Sequence, residues 1–183
     1  MKKKIVCFGD SNTYGYDPRS WFGERYPAAD RWPELLAERT RHEVVNLGSN
    51  GREVPHSLLG LKTAVSIIEK YRPVDLIITM LGSNDVCCGC DGDELEERLT
   101  GLIDLFTFSF PGTQQLLLLP ADLGTASYRE IYERLAAEKK IFFADASAWE
   151  LPLCFDGIHL TEKANRLLAG RVAELVDHQI FRF

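Results

Sequence analysis

The stretch KIVCFGDSNTYG, residues 4–15, contains the change of pattern that decides the fold. Its first five residues form a mainly apolar run of strand length, which ends at Gly9. Small polar residues that favour a turn follow directly, with Ser11 between Asp10 and Asn12. The stretch therefore predicts a buried strand with a serine at its end. That serine is either an ordinary turn residue or a nucleophile held at the edge of a sheet.

Four other apolar runs of similar length occur along the chain, and several of them, such as Leu76-Ile77-Ile78, are continuous rather than alternating. Continuous apolar character indicates strands that are buried on both faces, as in a parallel sheet covered by helices. The predicted strands are residues 4–8, 43–47, 74–81, 115–119 and 141–144.

Segments with helical spacing of apolar residues separate these runs and follow the last one, at residues 32–40, 58–71, 93–106, 127–139 and 161–176. We expect Asp93 to begin the third helix, and a capping box from Ser127 to Glu130 to begin the fourth. The alternation predicts an α/β fold, a three-layer α/β/α sandwich around a five-stranded parallel sheet, with a doubly wound strand order of 2-1-3-4-5. The whole chain, 1–183, is expected to form one domain.

Charge and hydropathy argue against several classes of function. The 21 Lys and Arg residues are outnumbered by 27 Asp and Glu residues, which gives a net charge of −6. Nucleic-acid binding requires a basic surface, so we expect no nucleic-acid partner. No apolar run approaches the roughly 18 residues of a membrane-spanning helix, and the run after the N-terminal lysines is too short for a secretion signal. We expect a cytoplasmic protein with no membrane span.

The five cysteines do not fit a disulfide framework, because their number is odd and Cys87, Cys88 and Cys90 are crowded together. Such a set favours a reducing compartment. Cys7 lies in a predicted strand and is expected in the core. The crowded three lack a nearby histidine that would complete a four-ligand site, so we expect free thiols and no metal. A redox or metal-binding protein stays open as an alternative.

Residues that can carry chemistry through a polar side chain or a backbone N–H follow four of the five predicted strands. They are, in strand order, Ser11, Gly51, Asn84, and Asp156 with His159. The segment after the fourth strand, residues 120–124, offers no such constellation. Ligands of open parallel sheets bind beyond the carboxyl ends of the strands, so we expect these residues to meet at one edge of the sheet.

Together these residues provide the groups of an acyl-transfer site. The Ser11 hydroxyl becomes a nucleophile once a base removes its proton, and the imidazole of His159 is suited to that role near neutral pH. Asp156, three residues earlier, can accept a hydrogen bond from the imidazole and fix its tautomer. The N–H groups of Ser11 and Gly51 and the side-chain amide of Asn84 can then stabilise an oxyanion.

In these blocks the sequence resembles the SGNH (GDSL-like) hydrolase superfamily. The blocks occur in family order over nearly the whole chain as Gly9-Asp10-Ser11-Asn12, Gly51, Gly82-Ser83-Asn84-Asp85 and Asp156-Gly157-Ile158-His159. The resemblance implies a flavodoxin-like three-layer fold and a serine ester hydrolase with no metal or organic cofactor. The family's spacing from Asn46 favours Gly51 over Gly48 as the oxyanion glycine. Residues 31–36, RWPELL, are similar to the arylesterase and acyltransferase branch.

Four residues are candidates for substrate binding. Asn12 stands where many members of the family have leucine. Trp21, Phe22 and Tyr26 lie in a loop, residues 17–30, that is longer than a simple connection requires. We expect these aromatic residues to form a wall of the acyl or alcohol pocket. Without a lid domain the site should be shallow and favour short acyl groups.

The expected function is hydrolysis of a small carboxylic ester through an acyl-enzyme on Ser11. Besides the redox or metal-binding protein, two alternatives stay open: an acyltransferase that uses the same residues, and a non-catalytic flavodoxin-like module that binds phosphate at the turn after the first strand. The expected partner is a small-molecule ester. The aromatic loop and the apolar residues 180–183, IFRF, favour a homo-oligomer.

Overall fold

In the computed structural model, which describes residues 1–20 and 22–181, five strands form one sheet in the order β2-β1-β3-β4-β5. The strands are β1 (Lys4–Gly9), β2 (Glu43–Asn46), β3 (Leu76–Met80), β4 (Gln114–Leu119) and β5 (Phe142–Asp145). Each neighbouring pair is parallel. The predicted α/β class, parallel sheet and strand order are confirmed, and each strand lies within two residues of its predicted bounds.

Helices connect the strands and cover both faces of the sheet. They are α1 (Ser11–Tyr14), α2 (Trp32–Thr40), α3 (Leu58–Glu69), α4 (Ser83–Cys87), α5 (Gly92–Ser109), α6 (Ala126–Lys139) and α7 (Glu162–Leu175). Short 3₁₀ turns at Ala28–Asp30 and Ala146–Trp149, and one π-helical turn at Val176–Ile180, complete the regular structure of the described residues. The five predicted helices are present, whereas α1 and α4 were not predicted.

Two predicted helix caps are wrong. Asp91, not Asp93, caps α5, and its carboxylate accepts a hydrogen bond from the N–H of Glu94 at 2.9 Å. Both aspartates have a glutamate three positions later, so the pattern could not separate them. Thr125 rather than Ser127 precedes the first turn of α6, and its side chain makes no capping hydrogen bond.

The two faces of the sheet carry separate halves of the core. On β1, Ile5 and Cys7 contribute to one half, which α2 and α7 cover, while Val6 and Phe8 contribute to the other, which α3, α5 and α6 cover. All four of these side chains are at most 1% exposed. Burial on both faces explains the continuous apolar runs, and the prediction that Cys7 lies in the core is confirmed.

The described part of the C-terminal tail belongs to this core. Phe181 is 8% exposed, and its ring packs edge-on against His42 with the ring centroids 5.4 Å apart. Phe181 therefore offers less free surface for self-association than its sequence indicates. Arg182 and Phe183, like Trp21 of the aromatic loop, lie outside the described residues.

The sheet order places the ends of β1 and β3 side by side. Gly9 at the end of β1 pairs with Met80 at the end of β3, and the chain leaves β1 for β2 on one side and continues from β3 to β4 on the other. The strand order thus reverses here, which makes this edge the expected place for a ligand. Among the described residues, no helix is both long and apolar enough to cross a membrane.

Candidate active site

Ser11 is the first residue of α1, directly beyond the end of β1. A side chain at position 9 would lie 2.1 Å from the Thr13 hydroxyl and 2.8 Å from the Met80 carbonyl, so only glycine fits. The Asp10 carboxylate caps α1 by accepting a hydrogen bond from the N–H of Asn12 at 2.9 Å. Ser11 is 8% exposed. It is therefore held at the edge of the sheet by a strand, a close turn and a capped helical turn.

His159 lies in a tight loop that Asp156 organises. One Asp156 oxygen accepts hydrogen bonds from the backbone N–H groups of Ile158 and His159, each at 3.0 Å. The other oxygen lies 2.7 Å from His159 Nδ1, and His159 Nε2 lies 3.0 Å from Ser11 Oγ. An ionised carboxylate only accepts hydrogen bonds, so Nδ1 carries the proton and Nε2 is free to accept the hydroxyl proton of Ser11.

The same contacts keep Asp156 ionised. Partial burial raises its pKa, but the two N–H groups and the imidazole outweigh this effect and hold the pKa below its ordinary value. Three residues that sequence spacing singled out, Ser11, Asp156 and His159, are thus joined in one hydrogen-bonded chain.

Asn84 and Gly51 come together through the loop between β2 and α3. Asn84 is the second residue of α4, and its Nδ2 donates to the carbonyl of Arg52 at 3.0 Å. Gly51, one residue earlier, has a φ of 68°, in the left-handed region that favours glycine. Gly48 differs, because its N–H donates to Asn46 Oδ1 at 2.9 Å, and a Cβ there would lie 2.0 Å from the Tyr14 nitrogen. Gly48 is therefore a glycine of close backbone contact with its N–H already engaged.

Asp85 fixes this loop from within. It is fully buried and accepts from the N–H of Val54 at 3.0 Å and from the Arg98 guanidinium at 2.8 Å. Burial raises the pKa of Asp85, and these partners oppose the rise. Asp85 therefore has a structural role, in which it joins the loop at Val54 to α4 and α5.

Arg52 ties the same loop to the nucleophile turn. Its guanidinium donates to the carbonyl of Gly9 at 2.9 Å and to that of Leu47, and it lies 4.3 Å from the centre of the Phe8 ring. Burial lowers the pKa of Arg52, and the nearby Asp10 opposes that shift. The cation therefore braces backbone and does not project towards Ser11 as a free charge.

Asn12 links the nucleophile turn to the loop that carries His159. Its side chain is 6% exposed; Nδ2 donates to the carbonyl of Ile158 at 3.1 Å, and Oδ1 accepts from the N–H of Leu160 at 2.8 Å. Both ends of the amide are thus engaged with the backbone on either side of His159. The amide therefore joins the turn at Ser11 to the His159 loop, and the substrate-binding role of Asn12 stays a prediction.

Asp122 is the residue that the sequence analysis missed. It lies just after β4, in the segment 120–124 that was expected to contribute nothing, and it accepts a hydrogen bond from the Ser83 hydroxyl at 2.8 Å. Burial raises its pKa, while the Ser83 bond and the nearby His159 lower it. The segment therefore brings one carboxylate next to the Gly82–Asp85 block, which the sequence analysis overlooked.

Asp10 is a second buried acid beside the nucleophile. It is 1% exposed, and burial raises its pKa to about 7. Asp122 contributes to this rise, while the N–H of Asn12 and the Arg52 guanidinium oppose it, and about 7 is the net result. Acidic groups therefore lie near Ser11, and the Arg52 guanidinium is engaged with backbone carbonyls.

The aromatic candidates are dispersed. Tyr26 is 2% exposed, and its hydroxyl lies 3.6 Å from the Cys154 sulfur, so it supports the loop from inside. Phe22 is 91% exposed, and Trp21 lies outside the described residues. Tyr16, which the sequence analysis did not single out, packs against His159, with the two ring centroids 4.7 Å apart.

The cysteines are all free thiols: Cys87 and Cys88 are exposed, Cys7 and Cys90 are buried, and Cys154 is partly exposed. Within residues 1–20 and 22–181, no group of three or more His, Cys, Asp or Glu side chains is arranged to hold a metal ion. Cys87 ends α4, close in the chain to Asn84, without contributing to the hydrogen-bonded chain at Ser11.

Solved structures provide close relatives of this architecture. The inhibitor-bound M. smegmatis aryl esterase is 26% identical over 95% of this chain and 98% of its own, with a TM-score of 0.83. Est24, a carbohydrate acetylesterase from Sinorhizobium meliloti, is 25% identical over 96% and 98%, with a TM-score of 0.84. A putative arylesterase from Agrobacterium tumefaciens str. C58 is 27% identical over 95% and 98%, with a TM-score of 0.81.

No curated protein sequence matches the chain. Residues 7–167 match the GDSL-like Lipase/Acylhydrolase family. This range contains all four sequence blocks, from the turn at Ser11 to the loop at His159. The predicted resemblance is confirmed: the chain belongs to the GDSL-like lipase/acylhydrolase family of SGNH hydrolases and is a carboxylic ester hydrolase.

Proposed function

We propose that the protein hydrolyses small, short-acyl carboxylic esters through an acyl-enzyme on Ser11, with His159 as general base and acid and Asp156 as its partner. The observation that carries the proposal is the hydrogen-bonded chain from Asp156 through His159 to Ser11, with contacts of 2.7 and 3.0 Å. These distances lie within the range that proton transfer requires.

In the first half of the reaction, Ser11 Oγ attacks the ester carbonyl carbon while His159 Nε2 takes the hydroxyl proton. Asp156 stabilises the imidazolium that forms. The carbonyl oxygen becomes an oxyanion, which the N–H groups of Ser11 and Gly51 and the Asn84 amide stabilise. When the intermediate collapses, the bond to the leaving oxygen breaks and Nε2–H protonates that oxygen.

In the second half, a water molecule replaces the released alcohol. His159 Nε2 removes its proton, and the resulting nucleophile attacks the acyl carbon. The second tetrahedral intermediate uses the same oxyanion donors. Its collapse breaks the bond to Ser11 Oγ, returns the proton to that oxygen and releases the carboxylic acid.

The charges around Ser11 favour ester chemistry over phosphate binding. Asp10, Asp122 and Asp156 are the acidic groups of this edge, and Arg52 donates its guanidinium to backbone carbonyls. An anionic ligand gains from free cations and loses beside carboxylates. The arrangement therefore supports a neutral substrate whose negative charge develops only during the reaction.

Asp122 also supports a short acyl group. Its carboxylate and the Ser83 hydroxyl lie next to Asn84, where an alkyl chain that extends past β4 would cover them. Burying a charged group against hydrocarbon is costly. One relative named above is a carbohydrate acetylesterase, and an acetyl group is the size that this edge accommodates without that cost. We expect acetate esters to be better substrates than octanoate esters.

The deciding experiment compares hydrolysis of p-nitrophenyl acetate and labelling by a fluorophosphonate probe in wild type, Ser11→Ala and Ser127→Ala. Only an activated serine reacts with the probe. We expect Ser11→Ala to lose labelling and at least about 10³-fold of kcat, while Ser127→Ala, which changes an exposed serine of α6, behaves as wild type. Equal activity of wild type and Ser11→Ala would refute the mechanism.

A further inference from the structure

We propose that Arg52 is the positioning residue of the oxyanion hole, whose guanidinium keeps the donors of Ser11, Gly51 and Asn84 at a fixed spacing. The inference rests on the proposed function and deepens it, because it names a residue on which stabilisation of the oxyanion depends through other groups. Arg52 is a partly buried residue of the loop between β2 and α3. Its contacts reach the segment that carries each of the three donors.

The backbone of Arg52 contacts the segments of two donors. Its N–H donates to the Ser49 carbonyl at 3.2 Å and closes a turn over residues 49–52. Gly51 is the third residue of this turn, where its φ of 68° has the positive sign that a type II turn requires. The Arg52 carbonyl accepts one hydrogen of Asn84 Nδ2 at 3.0 Å. A side-chain amide has two such hydrogens, so the second is left for an oxyanion.

The guanidinium determines where this backbone lies. One nitrogen, Nη1, donates to the carbonyl of Gly9 at 2.9 Å and to that of Leu47. The side chain of Arg52 therefore joins the end of its own loop to the beginning of that loop and to the end of β1. Its Cζ lies 4.3 Å from the centre of the Phe8 ring, and Phe8 is 1% exposed. The cation is thus held against a core aromatic ring.

The Gly9 carbonyl connects Arg52 to the nucleophile. Gly9 lies two residues before Ser11 at the point where the chain leaves β1. Its oxygen also accepts from the N–H of Ser49 at 3.1 Å, and the residue pairs with Met80 of β3 on the other side. Because the oxygen is held in this way, Arg52 sets the separation between the turn at Ser11 and the turn that contains Gly51.

The Gly51 side of the oxyanion hole has few other attachments. Residues 48–52 are all partly or fully exposed, and a Cβ at Gly51 would have no atom within 4 Å. A segment without core side chains keeps its place through hydrogen bonds. Those of Ser49 and Gly48 stay when the guanidinium is removed. We therefore expect its removal to loosen the oxyanion hole and not to unfold the protein.

Three variants test the inference. Arg52→Met keeps most of the side-chain length and removes the donors, whereas Arg52→Lys keeps a charged donor, which suffices because both bonds start from one nitrogen. The matched control is Arg72→Met. The Arg72 guanidinium also lies over an aromatic ring, 4.7 Å from the centre of Phe110, and donates to a backbone carbonyl, that of Ser109. It precedes β3, at the opposite end of the strands from Ser11.

The measurements are kcat/KM for p-nitrophenyl acetate and the Ki of trifluoroacetone. Ser11 Oγ adds to the carbonyl carbon of this ketone and His159 takes the proton, so the carbonyl oxygen becomes an oxyanion in the hole. We expect Arg52→Met to lower kcat/KM by about 10- to 100-fold and to raise the Ki by a similar factor. Arg52→Lys should stay within about fivefold of wild type, and Arg72→Met within about twofold.

The Ki distinguishes positioning from a general loss of structure. Partly unfolded protein has fewer active sites, but its remaining sites bind trifluoroacetone with the wild-type Ki. The end point of labelling by the fluorophosphonate probe counts those sites. A wild-type Ki in Arg52→Met overturns the inference. Equal losses of kcat/KM per active site in Arg52→Met and Arg72→Met overturn it as well.

A double-mutant cycle with Asn84→Ala tests the route of the effect. If the guanidinium acts by holding the donors together, it has less to position once the Asn84 amide is gone. We expect the combined loss of kcat/KM to be at least about threefold smaller than the product of the two single losses. Losses that simply multiply would mean that Arg52 and Asn84 act independently, against the inference.

The results separate this inference from the proposed function. If Ser11→Ala is inactive while Arg52→Met keeps the wild-type kcat/KM and Ki, the mechanism stands and only the role of Arg52 is refuted. If wild type is not labelled by the probe and is no more active than Ser11→Ala, the mechanism itself is contradicted, and the inference falls with it.

Discussion

The two halves of the candidate active site are built in different ways. The nucleophile half, with Ser11 and Asn84, lies on short helices that extend buried strands, and its supporting residues Thr13 and Asp85 are fully buried. The acid–base half, with Asp156 and His159, lies in a surface loop between the 3₁₀ turn Ala146–Trp149 and α7, where the Asp156 side chain is 24% exposed.

This difference shows where the site depends on the core and where it depends on a few polar contacts. Opening the nucleophile half would disturb the centre of the sheet, which belongs to the most stable part of a fold. The acid–base loop leaves and re-enters the core at the buried Leu151 and Leu160, and residues 152–159 between them are exposed or partly exposed. Hydrogen bonds hold this exposed part: those that Asp156 accepts, the one from the Cys154 N–H to the His159 carbonyl, and the two that Asn12 makes across to the loop.

The largest effect on activity is expected for Asn84→Ala, in the nucleophile half. Removing an oxyanion donor from a preorganised site should lower kcat by roughly 10²–10³-fold. The melting temperature should change little, because the core that positions α4 is retained, although the bond to the Arg52 carbonyl is lost. Steady-state kinetics with p-nitrophenyl acetate measure the effect. A kcat close to wild type would remove Asn84 from the oxyanion hole.

The second variant is Asn12→Ala, which removes the hydrogen bonds between the nucleophile half and the acid–base half. The buried N–H of Leu160 loses its partner, which costs about 1–3 kcal/mol, and the His159 loop loses its attachment to the nucleophile turn. We expect kcat/KM to fall by roughly 10- to 100-fold, as for a misplaced catalytic group. The melting temperature should fall as well.

Asn165→Ala is the matched control for this prediction. Asn165 is 1% exposed and also makes two backbone contacts, accepting from the N–H of Trp32 and donating to the carbonyl of Thr161. It joins α7 to α2 rather than to the nucleophile turn. We expect a similar loss of melting temperature with a much smaller loss of kcat/KM at low temperature. If both variants lose activity in proportion to stability, Asn12 is an ordinary core amide.

The same contrast explains what the sequence could predict. The buried strands appear as continuous apolar runs, so the sheet, its helices and the residues at the strand ends, Ser11 and Asn84 among them, follow from pattern and position. Asp156 and His159 were found because three residues of spacing bring their groups together within one turn. The short helices α1 and α4, of four and five residues, escaped because they span too little chain to show helical periodicity.

Contacts between distant parts of the chain were not predictable in this way. The partners of Asn12 lie 146 and 148 residues away, and Tyr16 meets His159 only after the sheet has formed. Tyr26 and Phe22 belong to the same aromatic loop, yet one is 2% and the other 91% exposed. Residue type and loop length could not distinguish them, because burial there is set by what the folded chain places against each ring.

The smallest expected effect concerns Asp10, the buried acid of the nucleophile half. It is measured as a change in stability with pH. Burial raises the pKa of Asp10 from an ordinary 3.8 to about 7, so the folded protein binds its proton more tightly than the unfolded chain does. The stability that this group contributes is therefore complete below the unfolded pKa and is lost as pH rises through about 7. Asp10→Asn keeps an oxygen that can accept from the Asn12 N–H and removes the titration.

We expect the melting temperature of Asp10→Asn, relative to wild type, to rise between about pH 5.5 and about pH 8.5, by an amount equivalent to about 1–2 kcal/mol. Asp93→Asn, which removes the same charge from an exposed position on α5, should show no such trend. Differential scanning fluorimetry at both pH values makes the measurement. Parallel pH curves for wild type and Asp10→Asn would mean that Asp10 stays ionised in the folded protein, and the Arg52 guanidinium would then offset the cost of its burial.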